Sequence, residues 1–276
     1  MRFVKLTRLL LVWPIFFTLA ALIHLEVSLL RLPDRWKRVS RLTRAFASFL
    51  ASLLNLKVSL EGERVDLQSG AHVIVSNHLG YLDGIVLGSL FPVTYVSKKE
   101  VRHWPLIGQW TALCGTIYVD RKRKDKTPLL VEAIAKRLGE KVNVLIFPEG
   151  TSTNGERLLP FQSAHFAAPL RARAMVVPVT LIYKTIDGGP LSHANRDRIY
   201  WYGDMDFISH FWKLLALRKV EVSVTIHSPI ETWHYRNHSQ GRKQLSQDCY
   251  DSVSGRHAGN YPSAAVGSVG PMQNVS

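Results

Sequence analysis

Apolar residues fill positions 9–25, "LLLVWPIFFTLAALIHL", without a single Asp, Glu, Lys or Arg. As a helix this run covers about 26 Å at ~1.5 Å per residue, against a hydrocarbon core of about 30 Å. It either crosses a membrane with help from flanking side chains or lies partly sunk in one leaflet. The pattern then turns amphipathic. Trp36, Val39, Leu42, Phe46, Phe49, Leu50 and Leu53 recur at helical spacing, while Lys37, Arg38, Arg41 and Arg44 take other faces. This predicts a basic helix over 36–55, resting on anionic lipid or packed on a core with its basic side solvated.

Beyond residue 57 the texture changes to short β-branched runs: "HVIVSN", "VTYVS", "GTIYV", "VNVLIF", "MVVPVTLIY" and "VEVSVTI". Helical patterns at 126–139, 160–172 and 206–217 lie between several of them. Such alternation predicts an α/β fold with a mixed, largely parallel central sheet flanked by helices. From about residue 240 Ser, Gly and Ala dominate and the few apolar residues show no period, so a disordered tail is expected. The expected division is therefore membrane-associated helices over 1–56, an α/β domain over 57–240, and a tail over 241–276.

Composition narrows the partners. The 276 residues suffice for one domain with a real core plus pieces at its ends. A net charge of +14, from 35 Lys+Arg against 21 Asp+Glu, suits nucleic acid, a membrane surface or a phosphorylated substrate. Neither base-stacking aromatics among the cations nor a helix-turn-helix pattern is present, which argues against nucleic acid. The two cysteines, Cys114 and Cys249, cannot build a disulfide framework and point to a reducing compartment. "TLAAL" offers small residues for signal cleavage, but the cations tell against it. Arg31, Arg35, Lys37, Arg38, Arg41 and Arg44 follow the apolar run and only three basic residues precede it. The positive-inside tendency then puts the body on the cytoplasmic face of the inner membrane. His234 and His238 stand four apart without an H-E-x-x-H or Cys/His framework, so no metal site is expected.

Candidate chemistry gathers at the ends of the strand runs. In "VIVSNHLGYLDG" (73–84), His78 and Asp83 follow a strand and open a helix. Asp83 there can hold one imidazole nitrogen and leave the other free as a base. A helix cap and a packed histidine explain that stretch better when it is taken alone. In "VLIFPEGTSTNGERLLPF" (144–161), Glu149, Gly150, Thr151 and Ser152 follow another strand, where a glycine beside hydroxyls can turn N–H groups toward an anion. Ser152 is not a G-x-S-x-G nucleophile, because position 154 is asparagine. Lys98 and Lys99 end one strand run and Arg121 another, and such cations suit a phosphate.

Taken in order, "SNHLGYLDG", "GTIYVDR", "FPEGTS" and "VVPVTLIY" resemble the four blocks of glycerolipid acyltransferases. The chain over about residues 55–230 is similar to the 1-acylglycerol-3-phosphate acyltransferase group. That resemblance implies transfer of a fatty acyl group from acyl carrier protein or coenzyme A to a lysolipid hydroxyl. It implies that His78 is the base and that Asp83 orients it. Arg121, Glu149 and Gly150 then hold the phosphorylated acceptor, and Pro178 shapes the core or the acyl site. Many members carry arginine where this chain has Ser152, so a phosphate contact is either missing or supplied by Lys98, Lys99 or Arg157. The expected acceptor is 1-acyl-sn-glycerol-3-phosphate, giving phosphatidic acid. "LLPFQSAHFAAP" and "WYGDMDFISHFWKLLALRKVEV" look like a bacterial subgroup that includes acyltransferases for other lysolipids such as lyso-ornithine lipid. The same pair could also serve a thioesterase or esterase, with water as acceptor. No cofactor is expected beyond the acyl donor, and transfer is expected to be direct, without an acyl-enzyme.

Overall fold

The computed structural model describes residues 1–30, 34–68, 71–104, 107–120 and 127–257. Two helices come first, α1 (Arg2–Leu30) and α2 (Arg35–Leu53). The sheet strands are β1 (Leu56–Gly62), β2 (Val73–Ser76), β3 (Val93–Lys98), β4 (Ile117–Val119), β5 (Asn143–Ile146), β6 (Val176–Ile186), β7 (Gly189–Pro190) and β8 (Val220–Ile226). Between and after them come α3 (Tyr81–Leu90), α4 (Ile107–Leu113), α5 (Thr127–Gly139), α6 (Ala167–Ala172), α7 (Phe207–Leu214) and α8 (Ser239–His257).

The strands form one sheet in the order β1-β8-β6-β2-β5-β3-β4, with β7 as a short hairpin on β6. Among the described strands, β6–β8 and β6–β7 pair antiparallel and the other ladders are parallel. The parallel pairs β2–β5, β2–β6 and β3–β5 bring β2 and β5 together at the centre. A mixed, largely parallel sheet flanked by helices is the expected architecture. Its period-2 alternation splits β2 between two cores. Ile74 enters the cluster under α2, α3 and α7, whereas Val73 and Val75 enter the one under α5, α6 and α8.

α1 carries one stripe that faces the body and a wider face that does not. Lys5, Leu9, Phe16 and Ala20 are buried, while Leu10, Leu11, Ile15, Leu19 and Leu22 remain exposed. The Lys5 ammonium donates to the Leu217 carbonyl at 2.7 Å. Phe16 stacks on Phe46 of α2 at 4.2 Å. α2 buries Val39, Phe46, Ala47 and Leu50 and leaves Arg41 and Arg44 exposed.

Residues 241–257 contradict the expected tail. They belong to α8, because Leu245, Cys249 and Val253 recur every four residues and are fully buried against the second core. A three-residue stripe inside a polar, Ser- and Gly-containing helix is too thin for periodicity to reveal. Residues 258–276 lie outside the described residues. β1 and α4 were also not anticipated: β1 alternates only over "LKVSL", and α4 is two turns long.

Candidate active site

β2 ends at Ser76, and Asn77 fixes the chain beyond it. The Asn77 side-chain amide donates to the Leu181 carbonyl at 2.9 Å, and its carbonyl accepts from the Leu181 N–H at 2.8 Å. One side chain thus continues the β2–β6 pairing past the last strand residue. His78 leaves the sheet from a fixed backbone. The next peptide is fixed too, since the Leu79 carbonyl accepts from Trp201 N–H at 2.9 Å. Gly80 lies so close to this contact that a Cβ there would stand 2.8 Å from the Trp201 nitrogen.

Asp83 is the hub, and it is fully buried. Its Oδ2 accepts from His78 Nδ1 at 2.8 Å, from Leu79 N–H at 2.6 Å and from Gly80 N–H at 2.9 Å. Its Oδ1 accepts from the Tyr183 hydroxyl at 3.0 Å. Asp83 closes the first turn of α3 and holds the imidazole with the same oxygen. With Nδ1 engaged, Nε2 is the ring nitrogen open to chemistry. The His78 ring also stacks on Phe147 at 4.1 Å and 14°.

Glu149 lies behind the histidine. One oxygen accepts from His78 N–H at 2.7 Å and the other from Leu159 N–H at 2.9 Å. Burial pushes its carboxyl up to about 7, opposed by the Leu159 and His78 N–H groups and reinforced by the nearby Asp83 charge. Gly150 sits at φ 77°, a conformation that favours glycine, and a Cβ there would fall 2.1 Å from Gln162 Nε2.

His78 opens onto a cavity of about 390 Å³. Leu9, Trp13, Leu50 and Leu53 of the first two helices, Ile107 and Trp110 of α4, and Phe207 and Phe211 of α7 form an apolar wall. Lys98 is the cation in this lining, its ammonium 5.5 Å from the Trp104 ring and 5.7 Å from the Trp201 ring.

The structure thus brings His78, Asp83, Lys98 and Thr151 to one place, with Asp83 beneath the surface. Glu149 and Gly150 are adjacent but do not line the cavity; the Glu149 oxygens point at two backbone N–H groups rather than at an acceptor. Lys99 is directed elsewhere, onto Asp120, and is outside the lining. Arg121 lies outside the described residues. Sequence reasoning missed Asn77, Phe147 and Tyr183. Tyr183 carried a usable signal, because a tyrosine inside a buried strand run needs a partner for its hydroxyl. Among the described residues no group of three or more His, Cys, Asp or Glu is placed to hold a metal ion.

With this geometry in hand, comparison with known proteins gives a consistent result. The family described as "Acyltransferase" matches residues 57–182. A "Lyso-ornithine lipid O-acyltransferase" of Brucella abortus is 32% identical over 231 residues, covering 78% of this chain and 85% of that protein. Another of that name from Pseudomonas aeruginosa is 35% identical over 215 residues, or 77% of each chain. A "1-acyl-sn-glycerol-3-phosphate acyltransferase" of Neisseria gonorrhoeae is 25% identical over 174 residues, covering 63% of this chain and 66% of that one. The crystal structure of the 1-acyl-sn-glycerophosphate acyltransferase from Thermotoga maritima superposes with a TM-score of 0.60 at 16% identity, over 94% of this chain and 97% of that one. At that identity the match concerns the fold.

Proposed function

The chain belongs to the glycerolipid acyltransferase family, and from that premise we propose that it moves a fatty acyl group from a thioester to the hydroxyl of a lysolipid, with His78 as general base. The observation that carries this reading is the 2.8 Å bond from His78 Nδ1 to buried Asp83, made by a ring that lines an apolar cavity. An alcohol is a weak nucleophile until a base takes its proton. His78 Nε2 accepts that proton as the hydroxyl oxygen attacks the thioester carbonyl. The tetrahedral intermediate then collapses, the C–S bond breaks, and the imidazolium returns the proton to the leaving thiolate. Asp83 keeps the tautomer that makes this possible and stabilises the cation that forms. Lys98 and Thr151 stand at the cavity where the acceptor head group or the developing oxyanion needs donors. Cys114 and Ser152 need carry no acyl group.

The enzyme is membrane-associated, and the charge asymmetry around α1 supports the cytoplasmic face, where acyl carrier protein or coenzyme A thioesters are available. Two acceptors are supported. 1-Acyl-sn-glycerol-3-phosphate suits the resemblance of the four blocks and a cation such as Lys98. Lyso-ornithine lipid suits the greater identity to enzymes of that name and the presence of Ser152 in place of a phosphate-binding arginine.

Release of free thiol from acyl-coenzyme A and acyl carrier protein, by purified protein in detergent, tests the reading. Release is expected only when one of the two lysolipids is present, and it should fall by about 10²–10⁴-fold in His78→Ala. Release that ignores both acceptors would make the protein a thioesterase instead.

A further inference from the structure

α7 has two sides with different partners. Its N-terminus is fixed by Asp206, which accepts from Ser209 N–H at 2.7 Å. His210 and Leu214 face the core, and Phe207 and Phe211 line the cavity. Ile208 and Trp212 point outward and are 69% and 38% exposed. Ile208 also lines the cavity, so the cavity reaches the surface beside this helix.

That surface is continuous with α1. The Phe3 ring meets Trp212 edge-on at 5.8 Å, and the Arg2 guanidinium lies 5.7 Å from the Trp212 ring. Phe3 itself is 73% exposed, and the exposed face of α1 runs on through Val4, Leu10 and Leu11. Lys5, bonded to the Leu217 carbonyl three residues after α7, locks the start of α1 to the end of α7. The two helices therefore present their apolar residues as one rigid surface. Arg2 lies on this edge against Trp212 and α7 itself carries Lys213, while Asp204 and Asp206 precede the helix.

We propose that α7 is a second membrane-inserting element, which carries Ile208 and Trp212 into the leaflet that receives α1. The occupant is an anionic lipid surface. Continuity with the apolar face of α1, the flanking cations and a tryptophan at the rim all suit a headgroup boundary. The mouth of the cavity then lies at that boundary, and a lysolipid passes to His78 without its chain crossing water. The proposal rests on the lysolipid reading only in taking a membrane as the partner.

Vesicle binding without substrates separates the two. Full-length protein is mixed with vesicles of phosphatidylethanolamine and phosphatidylglycerol, and bound protein is measured by flotation. Ile208→Ser and Trp212→Ser should each weaken partitioning about tenfold, as expected for withdrawing one buried apolar side chain. Bromine-labelled acyl chains should quench tryptophan emission in the wild type, and Trp212→Phe should lose a distinct part of that quenching. Should a serine variant fail to fold, the conservative phenylalanine variant still decides. Unchanged partitioning with unchanged quenching would overturn the proposal. So would variants that hold vesicles normally but bind acyl carrier protein more weakly, because the surface would then belong to a protein partner.

Discussion

Asp83 accepts four hydrogen bonds, from His78, Leu79, Gly80 and Tyr183, whereas the wall across the cavity from Trp13 to Phe211 is held by ring packing. The polar floor over-determines one geometry. Each of its groups is fixed by at least one neighbour, and removing a partner leaves a buried donor or acceptor unmet. The apolar wall fixes a volume rather than a position, and dispersion forgives small shifts. A base must sit within a fraction of an ångström of its proton, while an acyl chain needs only a dry channel.

Glu149 offers the strongest way to break this contrast. Its two oxygens set the His78 and Leu159 backbones, although it reaches neither the cavity nor the imidazole. Glu149→Gln keeps the shape but turns an amide N–H₂ toward a backbone donor. We expect transfer to fall about 10²-fold, mostly in kcat, because a small misplacement of the base is that costly. The same variant has a pH signature. Between about 4.5 and about 7 the folded protein holds more protons on Glu149 than the unfolded chain does, since burial raises its carboxyl. Its contribution to stability is therefore greatest at low pH and declines as pH rises through that window, by about 3 kcal/mol in all. The stability difference between wild type and variant, read from thermal unfolding at several pH values, should shrink from pH 4.5 to 7. A flat difference would show that Glu149 does not titrate there.

Tyr183 sharpens the comparison at lower cost. Its hydroxyl is one of four donors on Asp83, and burial keeps it protonated, raising it well above the ordinary tyrosine value. Tyr183→Phe leaves the other three donors in place. A loss of about threefold to tenfold in kcat, with KM nearly unchanged, is expected. A larger change in KM would mean that Tyr183 supports the wall instead.

The two regions also differ in how far the sequence reveals them. His78 and Asp83 were legible because a short loop between β2 and α3 places them together whatever the rest of the fold does. The sheet was legible because buried parallel strands need continuous β-branched runs. Tyr183 lies 100 residues from Asp83, and its contact depends on β6 pairing with β2, which no local pattern encodes. Glu149 was found, but its direction was not, since the same carboxylate can face a ligand or a backbone N–H. The wall was the least legible part. Its residues come from α1, α2, α3, β3, α4 and α7, and they read in sequence as membrane segment or ordinary core. α8 escaped for a related reason, because three buried apolar side chains in a polar helix look like none.

The smallest expected effect lies at Gly84, which lines the wall, compared with Gly88 one helical turn on, which does not. Gly84 and Gly88 both face Tyr95, whose hydroxyl donates to the Gly84 carbonyl at 3.1 Å. A Cβ at Gly84 would meet Tyr95 Cε1 at 3.6 Å, an ordinary contact. At Gly88 it would fall 1.9 Å from the Tyr95 hydroxyl oxygen, within a site already closed by Ala47. Gly88→Ala must therefore displace a buried ring and should lower stability by about 1–3 kcal/mol. Gly84→Ala adds a methyl group to the cavity lining and, with alanine's helix propensity, should raise stability by up to about 1 kcal/mol. Its kcat should stay within about twofold of wild type, because no bond to Asp83 is touched and a packed wall accommodates a methyl group. What should move is the preference among acyl donors, away from the longest chains, read from KM across a chain-length series. If Gly84→Ala instead lowered kcat for every donor alike, wall and floor would be coupled through Tyr95, and their separation would fail.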